Sequence, residues 1–132
     1  VARFDLASLR EALLAGDTAR LARTLDGLRQ EGEAPPLILW AMTEEVRALA
    51  QIRQGMDAGQ SADMVMRDAR VWGPRQALMK RCLNRIGSAQ ACAALAHAGR
   101  IDRIVKGIAG GDAWNEFLRL GLALAAPAPS RR

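Results

Sequence analysis

The sequence predicts an all-α domain, a compact bundle of about six or seven helices. Three observations carry this. Aromatic residues make up only 4% of the chain, there is no Tyr, and Ala, Leu and Arg dominate, which favours helix over strand. Apolar residues recur at three- and four-residue spacing along nearly the whole chain. Gly, Pro, Asp and Ser punctuate these runs where helix ends are wanted. At 132 residues the chain matches one ordinary domain with one core. Residues 1–126 are assigned to it, and the Pro-rich 127–132 to a mobile tail.

The elements follow in order. Leu6, Leu9 and Leu13 mark one face of an opening helix that Gly16 ends, and Asp17 caps a second with Leu21, Leu25 and Leu28 as its stripe. Gly32 and Pro35-Pro36 close that helix and open the longest one, in which Leu39, Trp40, Met42, Thr43, Val46, Leu49, Ala50 and Ile52 form a broad apolar face. Trp40 and Trp114 are read as core, and Glu44 and Glu45, which point about 100° apart on a helix, as surface charges. Ser61 caps a short helix over 62–69 with Met64 and Val65 inward. Gly73-Pro74 starts a basic helix with Leu78, Met79, Cys82, Leu83 and Ile86 on its stripe and Arg75, Lys80, Arg81 and Arg85 largely off it. Gly87-Ser88 separates it from a helix carrying Cys92, Leu95, Ala96, Ile101, Ile104, Val105 and Ile108, where Gly99 offers a close approach or a bend. Gly110-Gly111 terminates that helix, and Asp112 caps a last one containing Trp114, Phe117, Leu118 and Leu122.

Enzymatic motifs are missing from the pattern. No G-x-x-x-x-G-K-[ST] loop would cradle a triphosphate, and Gly107 to Gly111 lacks the preceding strand of a dinucleotide site. His97 has no ligand or base partner at metal or catalytic spacing and is read as a half-exposed helix residue, so no cofactor or metal is expected. Cys82 and Cys92 read as small buried hydrophobes in a reducing, cytoplasmic setting. No apolar run is long enough to span a bilayer. The chain opens on Val1 rather than Met, and an N-terminal portion is expected upstream.

What remains is surface. The net charge of +5 suits a polyanionic partner. Trp72 lies beside Gly73 and between Arg70 and Arg75, where an indole flanked by guanidinium groups can stack on an unpaired base; plugging the turn between two helices is the alternative role. A helix-turn-helix reader, or an independent DNA-binding domain using the basic helix 75–85, is the rival architecture, but beyond Gln76 the helix start carries no side chain suited to base edges.

The order of several pieces is also familiar. Phe4 to Asp17 is an opening helix ending in Gly-Asp, and Leu25 to Pro36 reads Leu-x-x-Leu-Arg-x-Glu-Gly-x-x-Pro-Pro. Leu39 to Leu49 reads Leu-Trp-x-x-Thr-x-Glu-x-Arg-x-Leu, and Arg70-Val71-Trp72 precedes Arg75 and the basic helix; Ile101 to Gly107 and Asp112-Ala113-Trp114 follow. In this order they resemble the C-terminal domain of the delta subunit of bacterial DNA polymerase III, a clamp-loader component. The resemblance implies an all-helical collar module without a catalytic site. Its partners would be the collar domains of gamma or tau and of delta prime, in a five-membered ring that loads the sliding clamp on primed DNA. ATP hydrolysis would belong to gamma or tau, and clamp binding to an N-terminal domain of delta that this sequence does not encode. The parent assembly would be the DNA polymerase III holoenzyme, a nucleotidyltransferase. The resemblance further implies that Arg70, Trp72, Arg75 and Lys106 face the single-stranded template, Trp72 by stacking and Lys106 through phosphate. The sequence departs from the pattern near Lys106, where Ala109 stands in place of a second aromatic.

Overall fold

The computed structural model describes residues 4–128. Among them are seven helices and no strand: α1 (Leu6–Ala15), α2 (Thr18–Gln30), α3 (Pro35–Asp57), α4 (Ala62–Asp68), α5 (Pro74–Arg85), α6 (Ser88–Val105) and α7 (Ala113–Ala125). The helix ends fall where side chains can satisfy the orphaned backbone groups. Asp5, Asp17 and Ser61 accept from the amides of Ser8, Arg20 and Met64 at 2.7, 3.1 and 3.2 Å. The Ser8 amide also holds the Asp5 carboxyl below its ordinary value of 3.8. Gly16 ends α1 at φ +70, a conformation that costs glycine nothing.

α3 is central, packing against α1, α4, α5, α6 and α7, with its most extensive contact along α6. Arg75 reaches Glu45 and Arg53 reaches the Leu83 carbonyl, each across a separation of 30 residues, so α5 runs beside α3 in the same direction. Short α1 is wedged among α2, α3, α5 and α7, and its Leu9, Ala12, Leu13 and Leu14 are fully buried. Around them Leu21, Ile38, Met42, Leu49, Met79 and Phe117 complete one continuous core. No helix is long and apolar enough to cross a membrane among the described residues.

Several expectations are corrected. Met64 is exposed, and α4 instead turns Val65 and Met66 inward. α6 ends at Val105 because Gly107 takes φ +77 and the chain turns, so Ile108 stands outside the helix, 72% exposed. The buried face of α6 is the small-residue stripe Ala91, Ala94 and Ala98 with Ile101, which brings α6 close to α3 and leaves Cys92 and Leu95 outside. Gly99 serves no close approach between helices of this domain, since a Cβ there would meet nothing within 4 Å. Beyond α7 the Ala128 amide donates to the Arg85 carbonyl at 2.8 Å; residues 129–132 of the expected mobile tail lie outside the described residues.

Candidate functional site

The largest departure from the sequence reading is at Glu45, taken there as a surface charge. Its side chain is 0% exposed and is enclosed by α1, α3 and α5. A buried carboxylate must be matched by donors, and it is: Arg75 presents Nε and Nη2 in a fork to Oε2 at 3.0 and 2.8 Å, and Arg10 donates Nη1 to Oε1 at 3.1 Å. Arg10 also meets Glu44 at 2.7 Å, and its guanidinium carbon lies 5.0 Å from the Trp40 ring centroid. Helical periodicity cannot supply the partners, because the two arginines that let Glu45 be interior come from α1 and α5. The available signal was the match itself: a lone carboxylate on the apolar side of α3, between Met42 and Leu49.

Trp40, read as core, is instead 53% exposed at the mouth of a groove between α3 and α6. Leu39, Thr43, Arg47, Asp102 and Lys106 line the groove along its length, with Val105 at the Trp40 end and Leu95 and Gly99 farther along. Trp114 is partly buried against Phe117 in an edge-to-face pair with centroids 5.5 Å apart.

The four sequence-derived contact candidates fall into two places. Arg70 and Trp72 occupy the turn between α4 and α5; Trp72 is 58% exposed and Arg70 adopts φ +60, unusual for a residue with a side chain. Arg75 starts from the same turn, but its guanidinium is engaged by Glu45. Lys106 caps α6 in the α3–α6 groove and pairs with Asp102 at 2.8 Å. No hydrogen bond or ion pair joins the two places among the described residues. Of the other cations on α5, Lys80 meets Asp63 at the surface and Arg85 turns inward, its Nε to the Leu124 carbonyl and Nη2 to the Leu14 carbonyl at 3.0 and 3.1 Å. Arg81 alone on this helix has no such partner among the described residues.

His97 is half-buried, with Nε2 3.0 Å from Glu116 of α7, a carboxylate that sequence spacing did not bring near it. No group of three or more His, Cys, Asp or Glu side chains converges on a possible metal position among the described residues. Cys82 is buried as expected, and burial pushes its thiol up to about 11; Cys92 is exposed.

Among the described residues, seven helices around one core, with a buried ion cluster stitching three of them, define a compact all-α domain. The chain belongs to the family of C-terminal domains of the DNA polymerase III processivity clamp loader gamma complex, whose model matches residues 8–129. It is similar to DNA polymerase III subunit delta of Escherichia coli (strain K12), with 30% identity over 118 residues. That match covers 86% of this chain and 33% of the relative, so the chain spans about a third of the length of the relative it matches.

Proposed function

We propose that this domain is the subunit-assembly module of a clamp-loader delta subunit. It holds that subunit in a five-membered ring with the collar domains of gamma or tau and of delta prime while the sliding clamp is loaded on primed DNA. Beside the family membership, one observation supports this reading: large apolar side chains stay outside a core that is already closed. Trp40 on α3 and Leu95 on α6 border one groove and Leu37 stands exposed elsewhere on α3, although the interior buries residues as large as Phe117 completely. Surfaces of this kind gain free energy by covering apolar area, at about 25 cal/mol per Å² before the costs of association. The mechanism is geometric. The Glu45 cluster fixes α1, α3 and α5 to one another, so a load on the docking surface is transmitted to the rest of the subunit without internal slippage. Mixing the domain with cognate gamma or tau and delta prime collar domains is expected to give one stoichiometric complex on size exclusion; separate elution at micromolar concentration would defeat the proposal.

A second reading, contact with single-stranded template, is favoured at the α4–α5 turn alone. There Trp72 is exposed beside Arg70, and Arg67 and Arg70 meet no carboxylate among the described residues. The rival of an independent reader on helix 75–85 draws less support, since Arg75 and Arg85 are consumed by internal contacts.

A further inference from the structure

The charges in the α3–α6 groove point to the kind of partner that fills it. Four charged residues line it: Glu44, Arg47, Asp102 and Lys106. Glu44 is neutralised by Arg10 at 2.7 Å, and Asp102 and Lys106 neutralise each other at 2.8 Å. Arg47 meets no carboxylate among the described residues. The groove therefore carries one uncompensated positive charge, set between the apolar side chains of Leu39 and Leu95.

Its dimensions suit a helix. The lining runs from Pro36 to Arg47 on α3 and from Leu95 to Lys106 on α6, each a length of roughly 16 Å at the rise of an α-helix, or about three turns. Gly99 lies in the wall of the groove and lacks a side chain that would obstruct a close approach there. At one end stands Trp40, whose indole is fixed before any partner arrives. Arg10 lies over the ring, and Arg10 is itself fixed by Glu44 and the buried Glu45. An aromatic held this way forfeits little rotamer freedom on binding, which is the property of a residue that dominates an interface.

We infer that the α3–α6 groove is the seat of an amphipathic helix of about three turns from a neighbouring subunit, with an apolar ridge packed on Leu39, Leu95 and Trp40 and a carboxylate meeting Arg47. This rests on the assembly reading and specifies where and by what chemistry assembly occurs. The chemistry excludes an apolar-ridged helix with a basic flank, which would leave two cations facing each other.

The test uses the full-length protein that carries this chain, mixed with its cognate clamp-loader subunits. A photo-crosslinking residue at Thr43, in the groove, should capture an acid-bearing helix of a neighbour, whereas one at Leu122, outside it, should not. Trp40→Ala and Arg47→Glu should each weaken assembly by about tenfold or more, Arg47→Glu with an unchanged thermal midpoint and Trp40→Ala with only the small decrease expected from losing the Arg10 contact. Reversing the partner carboxylate to Lys should restore the Arg47→Glu protein. If assembly is unaffected by both substitutions, or Thr43 captures only a second copy of this chain, the groove assignment is overturned while the assembly reading stands. If the unsubstituted protein does not assemble at all, both fall.

Discussion

Arg75, the first residue after the proline that opens α5, presents two guanidinium nitrogens to the Oε2 atom of the fully buried Glu45, at 3.0 and 2.8 Å. Removing the carboxylate would leave Arg75 without its anion and Arg10 with Glu44 alone, at a junction of three helices where both guanidinium groups are partly exposed. Glu45→Ala is expected to lose about 2–3 kcal/mol of unfolding free energy in urea titration, below the range for a pair buried on both sides because the arginines left behind reach water. The loss should change only modestly between low and high salt, because the Glu45 carboxylate is fully buried while Arg10 and Arg75 are 21% and 32% exposed. A loss below about 1 kcal/mol would reduce the cluster to an ordinary surface bridge.

Arg85 does comparable work at another junction. Its fork donates to carbonyls in the last turns of both α1 and α7, groups that have no partner within their own helices. Arg85→Ala should cost about 2–3 kcal/mol, since charged donors to buried carbonyls are worth more than neutral ones. Arg85→Lys should recover less than half of it, a single ammonium being unable to span both acceptors. Recovery to the unsubstituted midpoint would show that one of the two bonds carries no stability.

How much of this was legible in the sequence follows from what each signal depends on. Helix positions depend on local chemistry, so Asp17, Ser61, Pro74 and Asp112 located the starts well, while the Asp5 cap of α1 was not anticipated. The family resemblance was carried by ordered short motifs and is matched over residues 8–129. The orientation of individual side chains depends on which faces meet, and there periodicity failed. Trp40 and Leu95 lie on apolar stripes wider than the neighbours available to cover them, so the stripe's edge stays outside. Glu45 was misread for the converse reason, since its partners arrive from positions 35 residues earlier and 30 later. Of the candidate contacts, the exposure of Trp72 could be anticipated from the Gly-Pro turn beside it, but the commitment of Arg75 to Glu45 could not.

The two cysteines should report the packing of α5 and α6 directly. Cys92 is exposed and should react with a maleimide at neutral pH within minutes; Cys82 should react only on unfolding. The same burial that protects Cys82 sets a pH dependence. Its thiol is raised from 9.0 to about 11 in the folded chain, so the unfolded state releases this proton first as pH rises. The contribution is fully present below pH 9, declines as pH climbs, and is lost by about 11. Thermal midpoints taken across this window should fall more steeply for the unsubstituted domain than for Cys82→Ala. Equal slopes would place the thiol in contact with water.

Trp72 separates the two uses of the α4–α5 turn. An indole that is 58% exposed adds little to the core, so Trp72→Ala should shift the unfolding free energy by no more than about 0.5 kcal/mol. If the indole stacks on a template base, the same substitution should weaken binding of a labelled single strand by about 1–3 kcal/mol, seen as fluorescence anisotropy at fixed salt. Arg70→Ala, removing a cation from the same turn, should lower the salt dependence of that binding by about one counterion, whereas Arg75→Ala should act mainly on stability because its charge faces Glu45. A single-strand affinity indifferent to Trp72 and Arg70 would assign the exposed indole to a protein partner and leave the template to other parts of the assembly.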